Sequence, residues 1–364
     1  MSGAIRILFL ADSHLGFDLP LRPQVRRRRR GHDFQANYEA ALAPALRGEV
    51  DVVVHGGDVF HRSRVPPSLA WQGLEPLVRV ADAGVPVAIV PGNHERSRIP
   101  HVRFARHPRV HVFDRPRCVR LEVRGIGVRL VGFPFQRRDV RTRFPELMRR
   151  TGWHPVDDGS VDLLCMHQCV EGATVGPGDF TFKRGADVVR AADLPAGLVA
   201  VLSGHIHRHQ VLTRDLRGNA LRAPVLYPGS LERTSVAEKD ETKGYLRLEI
   251  EPDGREPRLA WRFRPMAARP FVVRELHVEG LGPLALETEL RAIVAESPSD
   301  AVLRVRTHGT PLSSGCRRVL SAAHVRTLAP GSMNVEIRGD DRRGDGLLER
   351  VPLRAGPVQA TLDL

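Results

Sequence analysis

The chain has 364 residues, 42% apolar and 27% charged, which is the balance of a globular protein and length enough for two domains. That excludes a disordered chain, a collagen-like repeat and a coiled coil. Lys and Arg number 55 against 42 for Asp and Glu, a formal net charge of +13, so a polyanion such as nucleic acid is the first partner to consider.

Only Lys183, Lys239 and Lys243 are lysines, so arginine carries the excess, as a GC-rich coding sequence produces by itself. Four cysteines, Cys118, Cys165, Cys169 and Cys316, are too few and too scattered for a disulfide framework. No stretch approaches the roughly 20 apolar residues of a spanning helix. The N-terminal apolar run is broken by Arg6 and ends at Asp12, which reads as a strand and not a signal peptide. A cytoplasmic protein without membrane association is expected.

The run Ile5–Leu10 opens a series that continues at 51–55, 85–90, 128–133, 161–166, 198–202 and 224–227. Each run is rich in Val, Ile and Leu and bounded by Gly, Pro or Asp, as strands buried on both faces are. Residues 37–46 and 69–83 have helical character, and strand–helix–strand repetition argues for a layered α/β core. The later runs lie closer together, so part of the sheet is expected to be antiparallel. Strands follow at 245–250 and 259–264, then RPMAARP at 264–270 reads as a linker. Beyond it, strands at 271–279, 301–307 and 333–338 and helices at 287–296 and 315–328 make a small α/β domain. The expected division is a main domain over 1–265, a small α/β domain over 266–340 and a polar tail over 341–364.

The residues just past each strand end carry the chemistry. Asp12-Ser13-His14 comes after the first, Gly56-Gly57-Asp58 with His61 after the second, and Pro91-Gly92-Asn93-His94-Glu95 after the third. His167 comes after the run at 161–166, and Gly204-His205-Ile206-His207 after the run at 198–202. Ligands in open α/β sheets collect at the carboxyl ends of strands, and here five strand ends each deliver Asp, Asn or His. Carboxylate, imidazole and carboxamide oxygen suit divalent metals such as Mn, Fe or Zn. Gly56, Gly57, Gly92 and Gly204 permit the turns that would aim these side chains at one place. Two cations about 4 Å apart can clamp the attacking and leaving oxygens of a phosphoester displacement.

The ordered set D-x-H, G-D, G-N-H, H and G-H-x-H resembles the calcineurin-like metallophosphoesterase superfamily. GGDVFHRS at 56–63, PGNHE at 91–95 and YPGSLERTSVAEKDETKGYLRLEI at 227–250 are similar to the SbcD-type DNA-repair nucleases. The resemblance covers roughly residues 4–280. It implies a four-layer α/β/β/α sandwich with a second, smaller α/β capping domain. It also implies two divalent metal ions, Mn²⁺ in the first place, with Fe or Zn as alternatives. One would be held by Asp12, His14, Asp58 and His207, the other by Asp58, Asn93, His167 and His205, with Asp58 as the bridge. His94 would protonate the leaving oxygen or stabilise the transition state, and His61 would steady the scissile phosphate. The activity implied is phosphodiester hydrolysis of DNA by a bimetal-activated water, in DNA repair or end processing. A homodimer and an SbcC-type ATPase subunit are the implied protein partners. No long amphipathic helix pair of the kind the subfamily uses for that ATPase is read in this sequence, so the contact would use another surface or the protein acts without it.

Arg26, Arg27, Arg28, Arg29 and Arg30 form the one low-complexity run. It reads either as a solvated loop or as a strip of guanidinium groups for DNA phosphates at the rim of the site. Cys165 and Cys169 bracket His167 on what reads as one strand, which would put all three on a common side; core packing is the leading reading for the thiols. Against the nuclease stands a phosphodiesterase or phosphatase acting on nucleotides or other small phosphoesters, and, more distantly, a scaffold with a silent site.

Overall fold

The computed structural model describes residues 3–18, 30–95, 106–252, 257–310 and 313–339. Along the chain come β1 (Ile5–Leu10), α1 (Gly31–Leu46), β2 (Val52–His55), α2 (Pro67–Asp82), β3 (Val87–Ile89) and β4 (Val110–Val112). Then follow β5 (Arg117–Val123), β6 (Ile126–Gly132), α3 (Val140–Arg150) and β7 (Val161–Met166). Four two-residue strands intervene: β8 (Cys169–Val170), β9 (Thr174–Val175), β10 (Phe180–Thr181) and β11 (Val188–Val189). The main unit ends with β12 (Ala200–Ser203), β13 (Gln210–Arg214), β14 (Ala220–Tyr227), β15 (Gly244–Glu251) and β16 (Arg258–Pro265).

Two six-stranded sheets form, in the orders β16-β15-β1-β2-β3-β4 and β13-β14-β12-β7-β6-β5. In the first, β1 to β4 run parallel and β15 and β16 antiparallel. In the second, β6, β7, β12 and β14 are parallel, with antiparallel edges at β5 and β13. Alternation along each strand sorts side chains into layers. Leu8, Leu10, Val53, Val87 and Ile89 meet α1 and α2. Ile7, Phe9, Val52, Val54 and Ala88 turn the other way, onto Val128, Leu130, Leu163 and Leu202 of the second sheet. Val131, Leu164, Met166 and Val201 cover the far side with Val140, Phe144 and Leu147 of α3. Helix, sheet, sheet and helix therefore stack in four layers. Among the described residues no helix is long and apolar enough to cross a membrane.

Cys165 lies in the layer between the sheets and Cys169 in the outer one. The expected single strand carrying Cys165, His167 and Cys169 on one side is thus corrected. β7 ends at Met166, and the chain restarts as β8 on a different sheet.

A second unit comprises Arg269 onward together with Ser235–Asp240. Its parallel sheet, β17 (Phe271–His277), β18 (Val302–His308) and β19 (Asn334–Gly339), packs with α4 (Pro283–Ala295), α5 (Ser314–Val319) and α6 (Ala322–Leu328). The helix expected over 315–328 is two. A break at 320–321 lets Ser321 restart the helix by accepting the His324 N–H at 3.2 Å, as Ser313 does for Cys316 at 3.2 Å. The tail expected over 341–364 lies outside the described residues.

Candidate metal centre

The carboxyl ends of β1, β2, β3, β7 and β12 converge on one cluster. Past the ends of β1 and β2 the two chains stay hydrogen-bonded: Asp12 N–H donates to Gly57 O (2.9 Å), His14 N–H to Asp58 O (3.0 Å) and Leu15 N–H to Val59 O (2.8 Å). This irregular extension sets Asp12 and His14 beside Asp58. It requires unusual backbone angles. Seven non-glycine residues among those described have positive φ, and four of them are Asp12 (52°), His14 (44°), Asp58 (53°) and His205 (85°). Such angles cost of order 1–3 kcal/mol each and gather where function demands them.

The polar atoms fall into overlapping groups. His14 Nε2 and His207 Nε2 are 2.9 Å apart, with Asp12 Oδ1 at 4.0 and 3.9 Å from them. His167 Nε2 and His205 Nδ1 both approach Asn93 Oδ1, at 2.9 and 2.8 Å. His167 Nε2 is also 3.4 Å from Asp58 Oδ2. Asp12 is common to two groups whose ligand atoms lie within 4.8 Å of one another, one with His14 and His207, the other with Asp58 and His167. A third group joins His14, His61 and His94. His94 Nδ1–H donates to the His61 carbonyl (2.7 Å), and its Nε2 stands 3.9 Å from Asp58 Oδ2.

These atoms fit a pair of divalent cations. Asp12 and Asp58 are buried carboxylates, and among the described residues no Lys or Arg pairs with either. The nitrogen and oxygen separations near 2.9 Å match the edge of a coordination polyhedron whose bonds are about 2.1 Å.

The electrostatics agree. Burial pushes the Asp12 carboxyl up to about 6, against the pull of His167 and His207. For Asp58 burial also opposes the charge, but His167 and His94 outweigh it and hold the carboxyl well below its usual range. Burial lowers His205 to about 3 and His61 to about 4, and, with His207 and His94 beside it, takes His14 well below the ordinary imidazole value. Neutral rings with lone pairs are what a cation needs. His167 departs from this. Burial opposes its charge, yet Asp58 and Asp12 carry it up to about 9, a proton that a cation in its place would displace.

Three residues outside the ligand set support the cluster. His55, buried at the end of β2, accepts the Gly57 N–H at Nδ1 (3.2 Å) and donates from Nε2 to Ser13 Oγ (2.9 Å), joining the loops after β1 and β2. Glu95 accepts Phe60 N–H (3.1 Å) and Gly92 N–H (3.0 Å), joining the loops after β2 and β3. Burial and the nearby Asp58 push its carboxyl up to about 8. Gly92 has no room for a side chain, since a Cβ would lie 2.1 Å from Asp58 Oδ1 and 2.6 Å from Asp58 N. The glutamate at the end of PGNHE was the visible signal; His55 had none, because its partner lies 42 residues away.

Arg26, Arg27, Arg28 and Arg29 lie outside the described residues. Arg30 is only 5% exposed. Its guanidinium donates to Arg233 O (2.6 Å), pairs with Glu232 (3.6 Å) and lies over Phe17 and Phe34. Arg30 therefore braces the start of α1 and is withdrawn from the phosphate-binding strip expected of it.

The model of the calcineurin-like phosphoesterase family matches residues 5–209, more than half of the chain. Similar curated proteins include the DNA double-strand break repair protein Mre11 of Haloferax volcanii, 31% identical over 76% of this chain and 55% of that one. The protein of the same description from Methanosarcina mazei is 25% identical over 96% of this chain and 52% of its own length. One subunit of the nuclease SbcCD of Bacillus subtilis is 26% identical over 68% of this chain and 67% of its own. The chain thus spans about half the length of the first relatives it matches. Its five ligand-bearing strand ends lie within the matched segment, and the chain belongs to the calcineurin-like phosphoesterase family.

Proposed function

We propose that this chain is a metal-dependent DNA nuclease acting in DNA repair or end processing. The observation that carries this reading is the pair of buried carboxylates, Asp12 and Asp58, ringed by imidazoles and one carboxamide with no Lys or Arg partner among the described residues. Similarity to double-strand break repair proteins and a nuclease subunit supports DNA as the substrate, and a net charge of +13 favours a polyanion.

Asp12, His14, Asp58 and His207 would hold one cation, and Asp58, Asn93, His167 and His205 the other. Two divalent cations held there, Mn²⁺ in our reading, would supply an activated water and charge neutralisation for the phosphoryl oxygens. The protein groups do the rest. The His61 carbonyl takes the Nδ1 proton of His94 and so turns Nε2 toward the cluster, where it can deliver a proton to the leaving oxygen. The His61 ring, 3.5 Å from His14 through their Nδ1 atoms, donates to the scissile phosphate. The small unit from Arg269 onward is, in this reading, the family's capping domain. A homodimer, a cytoplasmic location and an SbcC-type ATPase partner complete the proposal, the four unpaired cysteines being in keeping with a reducing compartment.

The test is Mn²⁺-dependent cleavage of linear, hairpin and single-stranded DNA beside a small chromogenic phosphodiester, with His94→Ala as control. DNA degradation that disappears in the variant and weakens with salt is expected. Turnover of the small diester with DNA untouched would replace the nuclease by a small-molecule phosphodiesterase.

A further inference from the structure

The segment 227–243 stands out in sequence, yet none of its side chains belongs to the ligand set. Its surroundings give it a task. His207 lies beyond the end of β12 and its side chain is 23% exposed, whereas those of His14 and His167 are buried at 1% and 0%. The turn directly after β2 holds His167, through Nδ1–H donating to Gly56 O at 2.7 Å. His207 is held from elsewhere. Its carbonyl accepts Ser230 N–H (3.0 Å) and Lys243 Nζ (3.0 Å). Lys243 is fully buried and also donates to Glu241 Oε2 (2.8 Å), while Glu241 Oε1 accepts Arg208 Nε (3.2 Å), next to His207 in the chain. Gly229, at φ +80°, lets the segment close on this loop, since a Cβ there would stand 2.8 Å from His207 O and 2.9 Å from His209 N. Finally, Thr234 Oγ1 is 3.3 Å from His207 Nδ1, on the opposite side of the ring from the Nε2 that faces His14.

We propose that Thr234 and Lys243 are positioning residues for His207, the first fixing its tautomer and the second its backbone, so that one of the two cation seats leans on residues 229–234 and 241–243. With Nε2 kept as the lone-pair atom, Nδ1–H donates to Thr234 Oγ1; a ligating histidine needs such an outer partner, and losing one typically costs 10–100-fold in metal affinity. A lysine buried at this depth is costly unless its charge is paired and its protons are placed, and Lys243 places them on the loop that carries His207.

The inference rests on the metal reading and is tested without turnover. Mn²⁺ is titrated into the full chain by calorimetry, with the bound ion followed by its paramagnetic resonance, for wild type, Thr234→Val, Thr234→Ser and Lys243→Met. Wild type is expected to take up two equivalents. Thr234→Val should weaken one of them about 10–100-fold and leave the other unchanged, Thr234→Ser should restore it, and Lys243→Met should weaken the same equivalent. Wild-type uptake by Thr234→Val, or equal weakening of both equivalents, would overturn the positioning role while leaving the metal reading intact. A wild type that takes up no Mn²⁺ would overturn both. If Lys243→Met fails to fold, the near-isosteric Thr234→Val decides alone.

Discussion

Buried carboxylates occur toward both ends of the parallel strands, and the two ends treat them oppositely. Toward the amino end, Asp162 of β7 is nearly buried and receives Arg129 through Nε (2.5 Å) and Nη2 (3.0 Å), with Trp153 Nε1 adding a third bond at 2.9 Å. Asp51, just before β2, is matched by Arg6 at 3.1 Å and Arg124 at 2.9 Å. At the carboxyl end, Asp12 and Asp58 have ligand atoms within 4.8 Å of each other, and imidazoles with one carboxamide, but no arginine, among the described side chains around them. In a chain this rich in arginine, withholding it from those two carboxylates is the informative choice. One end carries its counter-charge as arginine; the other has only imidazoles to offer, and the proton on His167 is one that a cation would displace.

The sharpest way to break this contrast is to neutralise one carboxylate at each end. Asp12→Asn should reduce Mn²⁺-dependent cleavage about 10³-fold or more. The cation-free protein should meanwhile keep or raise its melting temperature at neutral pH, because burial already disfavours the Asp12 charge. Asp162→Asn should do the reverse, lowering stability by up to about 3–5 kcal/mol by leaving buried Arg129 with only the half-exposed Asp158 at 3.4 Å as counter-charge, while cation uptake persists. Equal effects of the two changes on stability would end the distinction. Gly92→Ala comes next: a methyl group 2.1 Å from Asp58 Oδ1 must displace that carboxylate, so Mn²⁺ affinity should fall about 10–100-fold with little change in far-ultraviolet circular dichroism.

Acid should expose the contrast more gently. His55 and His205, at about 3, and His61, at about 4, lie below the unfolded imidazole value, so the unfolded chain takes up these protons first. Their stability is complete above about pH 6.5 and is lost as pH falls toward 4. Asp12 at about 6 and Glu95 at about 8 act with the opposite sign, gaining stability as pH falls through those values. His167, at about 9, also gains stability as pH falls, but that gain is complete near pH 6.5; below it, three imidazoles, with His14 and Asp58 losing stability in the same direction, outweigh two carboxyls. Denaturant melts of the chelated protein should therefore show net loss on acidification, and saturating Mn²⁺ should delay it. The smallest effect belongs to Arg124→Ala, a largely exposed partner of Asp51 worth about 0–1 kcal/mol by the same melts.

Much of this is legible in the order of the residues alone. Apolar runs ending in Asp, Asn or His announce strand carboxyl ends, and the structure brings Asp12, His14, Asp58, Asn93, His167, His205 and His207 within reach of one another. Pattern fails where support comes from far along the chain or from breaks in a strand. His55 looks like any strand residue until Ser13 is beside it. The break after Met166, which sends Cys165 and Cys169 to different layers, has no Gly or Pro to mark it. Arg30 is indistinguishable from its four neighbours in sequence, because its partners Glu232 and Arg233 lie some two hundred residues further on and nothing in the run points to the rings of Phe17 and Phe34.

The pairing of β1 with β15 has a consequence for how the protein is made. β1 lies in the interior of its sheet, with β2 on one side, but its other neighbour is Gly244–Glu251, the last strand but one of the main unit. During synthesis the strand that leads to Asp12 therefore presents an unpaired edge until more than two hundred further residues have left the ribosome. An open apolar edge invites pairing with other nascent chains. Slowing translation just before residue 244 should therefore raise the fraction that aggregates.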